Sequence, residues 1–143
     1  MDNVIVDFPS AFTHFSKKIL KKYKDKEDEI SGIFSKMKPV EGAIDAYQQI
    51  SQKYDTYILS TAPWNNPSAW SDKLKWVQQY LGEYAYKRLI LSHNKNLNFG
   101  DYLIDDRKKN GAESFKGKLI HFRQEPFLDW NSVINYLFQN PKK

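Results

Sequence analysis

Two adjacent carboxylates, Asp105 and Asp106, stand directly after a short apolar run and are followed by Arg107. The run from Tyr102 to Ile104 has the length and composition of a buried strand. In an open α/β sheet, ligands bind just outside the carboxyl ends of the strands, and a carboxylate pair there repels itself unless a cation compensates it. The pair therefore indicates either a Mg²⁺ site built from hard oxygen ligands or a capped turn.

Polar residues also follow two other apolar runs. We predict parallel strands near residues 55–61, 88–92, 101–105 and 118–122. Thr61 ends the first, where its hydroxyl can donate to a phosphate or close the strand by a local hydrogen bond. Lys95 follows the second, after His93, which we interpret as a surface residue. We expect Thr61, Lys95 and Asp106 to converge at the carboxyl ends of the strands.

Helices are predicted between these strands from apolar residues at helical spacing. One runs from Pro9 through Tyr23 and a second covers residues 41–53. A third carries Leu74, Val77, Tyr80 and Leu81, and the last, residues 130–138, is capped by Asp129. The polar segment 24–38 between the first two helices fits a linker or a small lid. Strands that alternate with helices predict an α/β fold with a parallel sheet covered on both faces.

Composition limits the possible domain organisation, cysteine chemistry and localisation of the protein. With 143 residues, 41% of them hydrophobic, and no internal boundary, residues 1–143 are predicted to form one globular domain. The absence of cysteine excludes disulfides, thiolate metal sites and a cysteine nucleophile. Because no signal peptide or membrane span is evident, we expect a cytoplasmic protein without a membrane partner. We also expect the tail from Asn140 to Lys143 to fray.

The net charge of +5 favours anionic partners, from a phosphorylated metabolite to nucleic acid. Four lysines, at positions 17, 18, 21 and 22, lie opposite the apolar face of the first predicted helix. We interpret them as a solvated helix face without interleaved aromatic residues. A nucleic acid polymer is therefore not expected as a partner.

Five stretches, taken in order, resemble the haloacid dehalogenase superfamily of phosphohydrolases. They are most similar to its cytosolic 5'(3')-deoxyribonucleotidase (C-type 5'-nucleotidase) branch. The stretches are Met1 to Phe8, Met37 to Ala43, Leu59 to Pro63, Ser92 to Lys95 and Tyr102 to Arg107. The resemblance implies a three-layer Rossmann-like fold and a Mg²⁺-dependent phosphomonoesterase that acts through an aspartyl-phosphate.

The resemblance also implies roles for individual residues. Asp2 is the general acid/base and offers its backbone carbonyl to Mg²⁺. Thr61 donates to the phosphate, and Lys95 pairs with it. Asp106 is a metal ligand, with Asp105 beside it as a ligand or an orienting partner.

On the substrate side, the resemblance places Phe8 beside a nucleobase, with Ala62 and Trp64 near the same pocket. Simple packing is an equal explanation for Trp64. The implied substrate is a nucleoside or deoxyribonucleoside 5'-monophosphate, and a homodimer is compatible with these observations.

Two departures from the family pattern bear on activity. The attacking aspartate of the family motif falls one place before Met1, together with most of its strand, which is central in the superfamily. Its loss should leave a gap in the core or require another segment to fill it. A start upstream of Met1 explains this, and so does an inactive homologue that binds phosphate or a nucleotide. Asp7 is a less suitable nucleophile, because no acid stands two residues after it.

The second departure is a short segment between Phe8 and Met37, where larger nucleotidases carry a helical cap over the substrate. A reduced cap around residues 10–38 should make fewer contacts to the base. The choice of nucleotide is therefore open.

Overall fold

A computed structural model describes residues 1–140, so all of the tail predicted to fray except Asn140 lies outside the described residues. Its six strands, in chain order, are β1 Val6–Asp7, β2 Lys38–Pro39, β3 Ile58–Ser60, β4 Leu89–Leu91, β5 Tyr102–Asp105 and β6 Lys118–His121. Over the same residues, its four α-helices are α1 Lys17–Lys22, α2 Ala43–Ser51, α3 Ser68–Tyr80 and α4 Trp130–Gln139. Among residues 1–140 no helix is both long and apolar enough to cross a membrane.

The four predicted strands all form, and they pair in parallel. Strand β3 pairs with β4, with Ile58 opposite Leu89, and β5 pairs with β6, with Leu103 opposite Leu119. The short strands β1 and β2 pair antiparallel at the edge of the amino-terminal region. Helices and parallel strands alternate along the chain, which confirms the predicted α/β class.

The parallel strands are divided into two pairs instead of forming one continuous sheet. Within the described residues, neither β3 nor β5 is hydrogen-bonded to a further strand on its other side. A cavity of about 540 Å³ lies along these two strands and is bounded by residues of α2 and α4. The core is therefore packed around a space between the two strand pairs.

Helix α3 forms as predicted, but only some of the apolar residues that predicted it are buried. Its buried side chains include Ala69, Lys73, Trp76 and Val77, whereas Leu74 is 46% exposed. Leu74, one of the residues that predicted this helix, therefore lies at the surface. The apolar stripe is set by Trp76, whose indole N–H donates to the carbonyl of Met37 at 2.9 Å.

The prediction of one long helix after Pro9 was wrong. Residues Phe8–His14 form a 3₁₀ helix, and the chain is extended at Phe15 before α1 begins. The hydroxyl of Ser16 accepts the backbone N–H of Ile19 at 3.3 Å and caps a new helix at that point. A local cap thus divides a segment whose apolar spacing is continuous.

The amino-terminal apolar run folds mainly as a turn. The carbonyl of Met1 accepts the backbone N–H groups of Val4, Ile5 and Val6 at 3.2, 2.8 and 3.2 Å. The indole N–H of Trp130, in α4, donates to the carbonyl of Val4 at 2.9 Å and anchors the turn. This anchored turn determines where the preceding carboxylate, Asp2, can lie.

The predicted cap of the last helix gives a pH-dependent test of the fold. Asp129 accepts the backbone N–H of Ser132 at 2.8 Å in a capping box, and this bond lowers the pKa of the Asp129 carboxyl. A lowered folded-state pKa means that stability is gained above the unfolded pKa and lost as the pH falls through the folded one. We therefore expect Asp129→Ala to lower the melting temperature at pH 7, with the difference from the parent shrinking as the pH falls from about 5 to about 2.

Asp129→Asn is the matched control, because asparagine caps about as well but does not ionise. The melting temperature of Asp129→Asn should therefore stay above that of Asp129→Ala at low pH. Melting curves that separate parent and Asp129→Ala equally at all pH values would contradict this account of the cap.

Candidate active site

A polar cavity of about 480 Å³ lies at the carboxyl ends of β3 and β5. Its walls come from the amino-terminal turn, the loops after β3, β4 and β5, and residues 25–29. The residues with predicted roles that line it are Asp2, Phe8, Thr61, Trp64, Lys95, Asp105 and Asp106. Ala62 is different, because its side chain is fully buried in the core and does not line the cavity.

Lys95 forms a buried ion pair at the base of this cavity. Its ammonium group contacts the Oδ2 atom of Asp105, and the two residues are 7% and 4% exposed. The other Asp105 oxygen accepts the backbone N–H of Arg107 at 3.1 Å. The backbone N–H of Lys95 donates to the carbonyl of Asn110 at 2.8 Å, which fixes the loop that presents the lysine. A cation is thus held in place with its charge compensated by one carboxylate.

The negative charge of Asp106 is less completely compensated than that of Asp105. One of its oxygens accepts from the Asn3 amide at 3.3 Å, and the Arg107 side chain is 3.9 Å away. Burial raises the pKa of the Asp106 carboxyl, with Arg107 opposing the rise and Asp105 adding to it. A raised pKa in a half-buried carboxyl means that its charged form lacks sufficient stabilisation, which a bound cation would supply.

Asp2 is held by a lysine that the sequence did not indicate. The Lys73 ammonium lies 2.7 Å from both Asp2 oxygens and 3.1 Å from the Ser60 hydroxyl, and it stands over the Phe34 ring at 4.2 Å. Lys73 is 0% exposed, and burial lowers its pKa while Asp2 opposes that shift. The signal was available, because position 73 lies on the same helix face as Trp76.

The Thr61 hydroxyl is already engaged. It donates to the carbonyl of Ser92 at 2.8 Å and so joins the loop after β3 to the loop after β4. The hydroxyl has a single proton, so donation to a phosphate requires it to leave Ser92.

Aromatic side chains form one wall of the cavity. Phe8 packs against Phe34, with ring centroids 5.5 Å apart. Trp64 is 81% exposed and lies edge-on to His93, with centroids 5.9 Å apart. The His93 ring also lies 6.2 Å from the Trp70 ring, and its buried Nε2 atom has no hydrogen-bond partner among residues 1–140. His93 therefore belongs to the cavity wall, in contrast to the surface position we predicted.

Segment 25–29 contributes four acidic lining residues to the cavity, Asp25, Glu27, Asp28 and Glu29. It is held there by Asn66, whose buried amide donates to the carbonyls of Asp28 at 2.8 Å and Ile30 at 3.0 Å. Burial also raises the pKa of the Asp28 carboxyl. Sequence reasoning identified this segment as a linker or lid but gave no indication of the contacts that fix it.

The three carboxylates predicted as metal ligands do not form a cluster with one another. Within residues 1–140, no group of three histidine, aspartate or glutamate side chains is arranged to hold a metal ion. Asp2 pairs with Lys73 and Asp105 with Lys95, which leaves Asp106 as the carboxylate with weak partners. This donor set nevertheless fits Mg²⁺, which commonly takes one or two carboxylates and fills its shell with water and substrate phosphate.

Comparison with known proteins defines the family. The family described as 5' nucleotidase, deoxy (pyrimidine), cytosolic type C protein matches residues 11–127. The chain belongs to this family and is by descent a phosphatase-type hydrolase. The resemblance inferred from the sequence motifs is confirmed.

The relatives differ in how much of their length this chain covers. A protein of Vibrio phage KVP40, named as a 5'(3')-deoxyribonucleotidase, is 55% identical over 142 residues, which are 99% of this chain and 84% of that protein. The 5'(3')-deoxyribonucleotidase of Bacillus subtilis is 32% identical over 63% of this chain and 51% of its own length. The human cytosolic-type enzyme is 35% identical over 55% of this chain and 40% of its own length.

The Lys73–Asp2 pair gives a direct test of how the cavity is built. Lys73→Met leaves the part-buried Asp2 carboxylate without its cation, so we expect a loss of about 3 to 5 kcal/mol in the free energy of unfolding. Lys75→Met removes an exposed lysine from the same helix and should change stability little. Denaturant unfolding measures both.

The double variant Asp2→Asn with Lys73→Met should lose less than the sum of the single losses, because the two residues interact directly. Additive losses would show that the ion pair does not hold Asp2 in position.

Proposed function

We propose that this protein is a Mg²⁺-dependent phosphomonoesterase that hydrolyses a nucleoside 5'-monophosphate, with a deoxyribonucleotide as the favoured substrate. One observation carries the proposal: Asp2, Thr61, Lys95, Asp105 and Asp106 line a single cavity at the carboxyl ends of parallel strands. The names of the relatives support a nucleotide as the substrate.

The phosphate group of the substrate would lie against Lys95. Because this ammonium is buried and fixed by Asp105, it can attract an anion without reorganising. Thr61 would turn from Ser92 and donate to the same phosphate. Phosphoryl transfer depends mainly on such positioning and charge stabilisation, so a site of this kind suits the reaction.

Asp2 would donate a proton to the leaving oxygen. The Lys73 ammonium would hold this carboxyl in place, and general acid catalysis needs the carboxyl within hydrogen-bond reach of the leaving oxygen. After the leaving group departs, the same carboxylate would accept a proton from water. Asp2 thus serves as acid and base in turn.

Asp106, with Asp105 and the Asp2 backbone carbonyl, would hold the Mg²⁺ ion. The ion, when bound, neutralises charge on the phosphate oxygens. The raised pKa of the Asp106 carboxyl, caused by burial, supports a cation at this position.

The attacking carboxylate in this proposal belongs to a residue immediately before Met1 and forms the aspartyl-phosphate. Met1 borders the cavity, so a residue before it would stand close to the cavity. Asp7 is not among the residues that line the cavity.

A second candidate function is binding of phosphate or a nucleotide without catalysis. It is favoured because no cavity carboxylate is assigned as nucleophile, whereas the cation site of Lys95 is intact. The enzyme and the non-catalytic binding protein would bind the same phosphorylated ligand, but only the enzyme would hydrolyse it.

Residues 10–38 would form a reduced cap on a single domain, and Phe8 and Trp64 would contact the base. The fixed acidic segment 25–29 supports a substrate with one phosphate, because a second anionic group would meet like charge. We place the protein in the cytoplasm, as a monomer or homodimer, without a nucleic acid polymer or membrane as partner.

Activity separates the two candidates. We expect negligible turnover of nucleoside monophosphates by residues 1–143, because uncatalysed hydrolysis of phosphate monoesters is extremely slow. A chain extended before Met1 by a few apolar residues and a final aspartate should gain Mg²⁺-dependent phosphatase activity, measured by phosphate release. The same extension ending in asparagine is the control and should remain inactive. Full activity of the unextended chain, lost in Asp7→Asn, would contradict the assignment of the nucleophile.

Metal binding gives an independent test. Millimolar Mg²⁺ should raise the melting temperature, because it binds the folded state and relieves the repulsion between Asp105 and Asp106. Asp106→Asn should remove most of that rise, whereas the exposed control Glu125→Gln should keep it. Equal shifts in parent and Asp106→Asn would contradict the metal site.

A further inference from the structure

Arg107 lines the polar cavity with a cationic side chain that is only loosely held. Its Nε atom is 3.9 Å from the Oδ2 atom of Asp106, and the side chain is 54% exposed. An exposed ion pair at this separation contributes little stability, because water and salt screen it. Among the hydrogen bonds of residues 1–140, Arg107 takes part through its backbone N–H, and none involves its guanidinium group.

The buried lysines near this cavity are committed to carboxylates. Lys95 lines the cavity and contacts Asp105. The Lys73 ammonium lies 2.7 Å from both oxygens of Asp2. An ammonium group carries three hydrogen-bond donors, whereas a guanidinium carries five in a planar fork. Arg107 therefore has more unused donors for an anion than either lysine.

The backbone that carries the Arg107 side chain is fixed on both sides. The N–H of Arg107 donates to the Oδ1 atom of Asp105 at 3.1 Å. The carbonyl oxygen of Asp106 lies 3.0 Å from the Nε2 atom of His121, which ends β6. The guanidinium can therefore change position by rotation about its side-chain bonds, while the loop after β5 stays in place.

The charge of Arg107 acts on carboxylates from two parts of the chain. Burial raises the pKa of the Asp106 carboxyl and that of the Asp28 carboxyl, and in both cases the charge of Arg107 opposes the rise. Asp28 belongs to segment 25–29, whose backbone the buried Asn66 amide holds at 2.8 Å. The guanidinium thus lies within electrostatic range of two carboxylates that line the cavity.

We propose that Arg107 is a phosphate-binding residue of this cavity and contacts two phosphate oxygens through its guanidinium fork. The inference rests on the proposed function, because it concerns the same phosphorylated ligand. Two parallel N–H···O bonds match a guanidinium to a phosphate, whereas a lysine acts as a point charge.

The carboxylates that line the cavity make this cation necessary. A phosphate that enters meets Asp106 and the acidic segment 25–29 as like charges, and a nearby guanidinium offsets their repulsion. Arg107 loses no hydrogen bond when it leaves Asp106, so the movement costs little. The same movement leaves the Asp106 carboxylate free to hold a cation.

Calorimetry with inorganic phosphate and millimolar Mg²⁺ tests this contact. Because the side chain is exposed, Arg107→Gln and Arg107→Lys should keep the melting temperature of the parent. Arg107→Gln should weaken phosphate binding roughly tenfold or more, as expected for hydrogen bonds to a charged group. Arg107→Lys should have an intermediate affinity, because it keeps the charge but loses the fork. The matched control Arg123→Gln changes an exposed arginine that does not line the cavity and should bind like the parent.

A direct readout of the contact comes from nuclear magnetic resonance of the arginine side chains. The chain contains three arginines, Arg88, Arg107 and Arg123, so the Nε–H groups give three signals. The signal that is absent from Arg107→Lys identifies Arg107. Phosphate should shift this signal in a saturable way and leave the other two unchanged.

The outcomes separate failure of this assignment from failure of the proposed function. Equal phosphate affinity in the parent and Arg107→Gln, or an Arg107 signal that does not move, would overturn the assignment and leave the rest of the site standing. Full affinity in Arg107→Lys would show that charge alone suffices and would rule out the two-oxygen contact. A parent that binds no phosphate would contradict both proposals. Phosphate binding through Arg107, without turnover in the aspartate-extended chain, would support the assignment and sink the proposed hydrolysis.

Discussion

The buried ion pair between Lys95 and Asp105 joins two parts of the molecule that no strand ladder connects. Lys95 follows β4, and Asp105 ends β5, so the contact links the β3–β4 pair to the β5–β6 pair. Within residues 1–140, no strand hydrogen-bonded to both pairs lies between them. Removing one partner of a buried pair costs about 3 to 5 kcal/mol, a large part of a typical domain stability. The interaction that presents a cation to the polar cavity therefore also links the two strand pairs.

A second buried lysine repeats this arrangement on the other side of the cavity. Lys73 is neutralised by Asp2 and also reaches Ser60 at the end of β3. Each lysine thus has one carboxylate partner, and Asp106 is left with weaker ones. The cavity combines fixed cations with an undercompensated carboxylate, which is the arrangement that an anionic substrate and a divalent ion need together. Fold and site chemistry depend on the same few charges.

Much of this arrangement could be predicted from the sequence, because short apolar runs that end in polar residues mark parallel strands and their carboxyl ends. Thr61, Lys95 and Asp106 were found in this way. Lys73 was missed because a lysine in a helix is usually exposed, and its burial depends on Asp2, 71 residues away. The break at Ser16 was missed because a side-chain cap overrode continuous apolar spacing. The cavity between the strand pairs depends on tertiary packing, which local patterns do not specify.

The central claim is that Lys95 and Asp106 form opposite sides of one phosphate and metal site. A crystal structure of the 143-residue chain grown with Mg²⁺ and inorganic phosphate tests it most directly. The account predicts a phosphate within hydrogen-bond distance of the Lys95 ammonium and the Thr61 hydroxyl, and a Mg²⁺ ion that contacts an Asp106 oxygen. A phosphate bound elsewhere, with the Lys95–Asp105 pair unchanged and no ion beside Asp106, would contradict it.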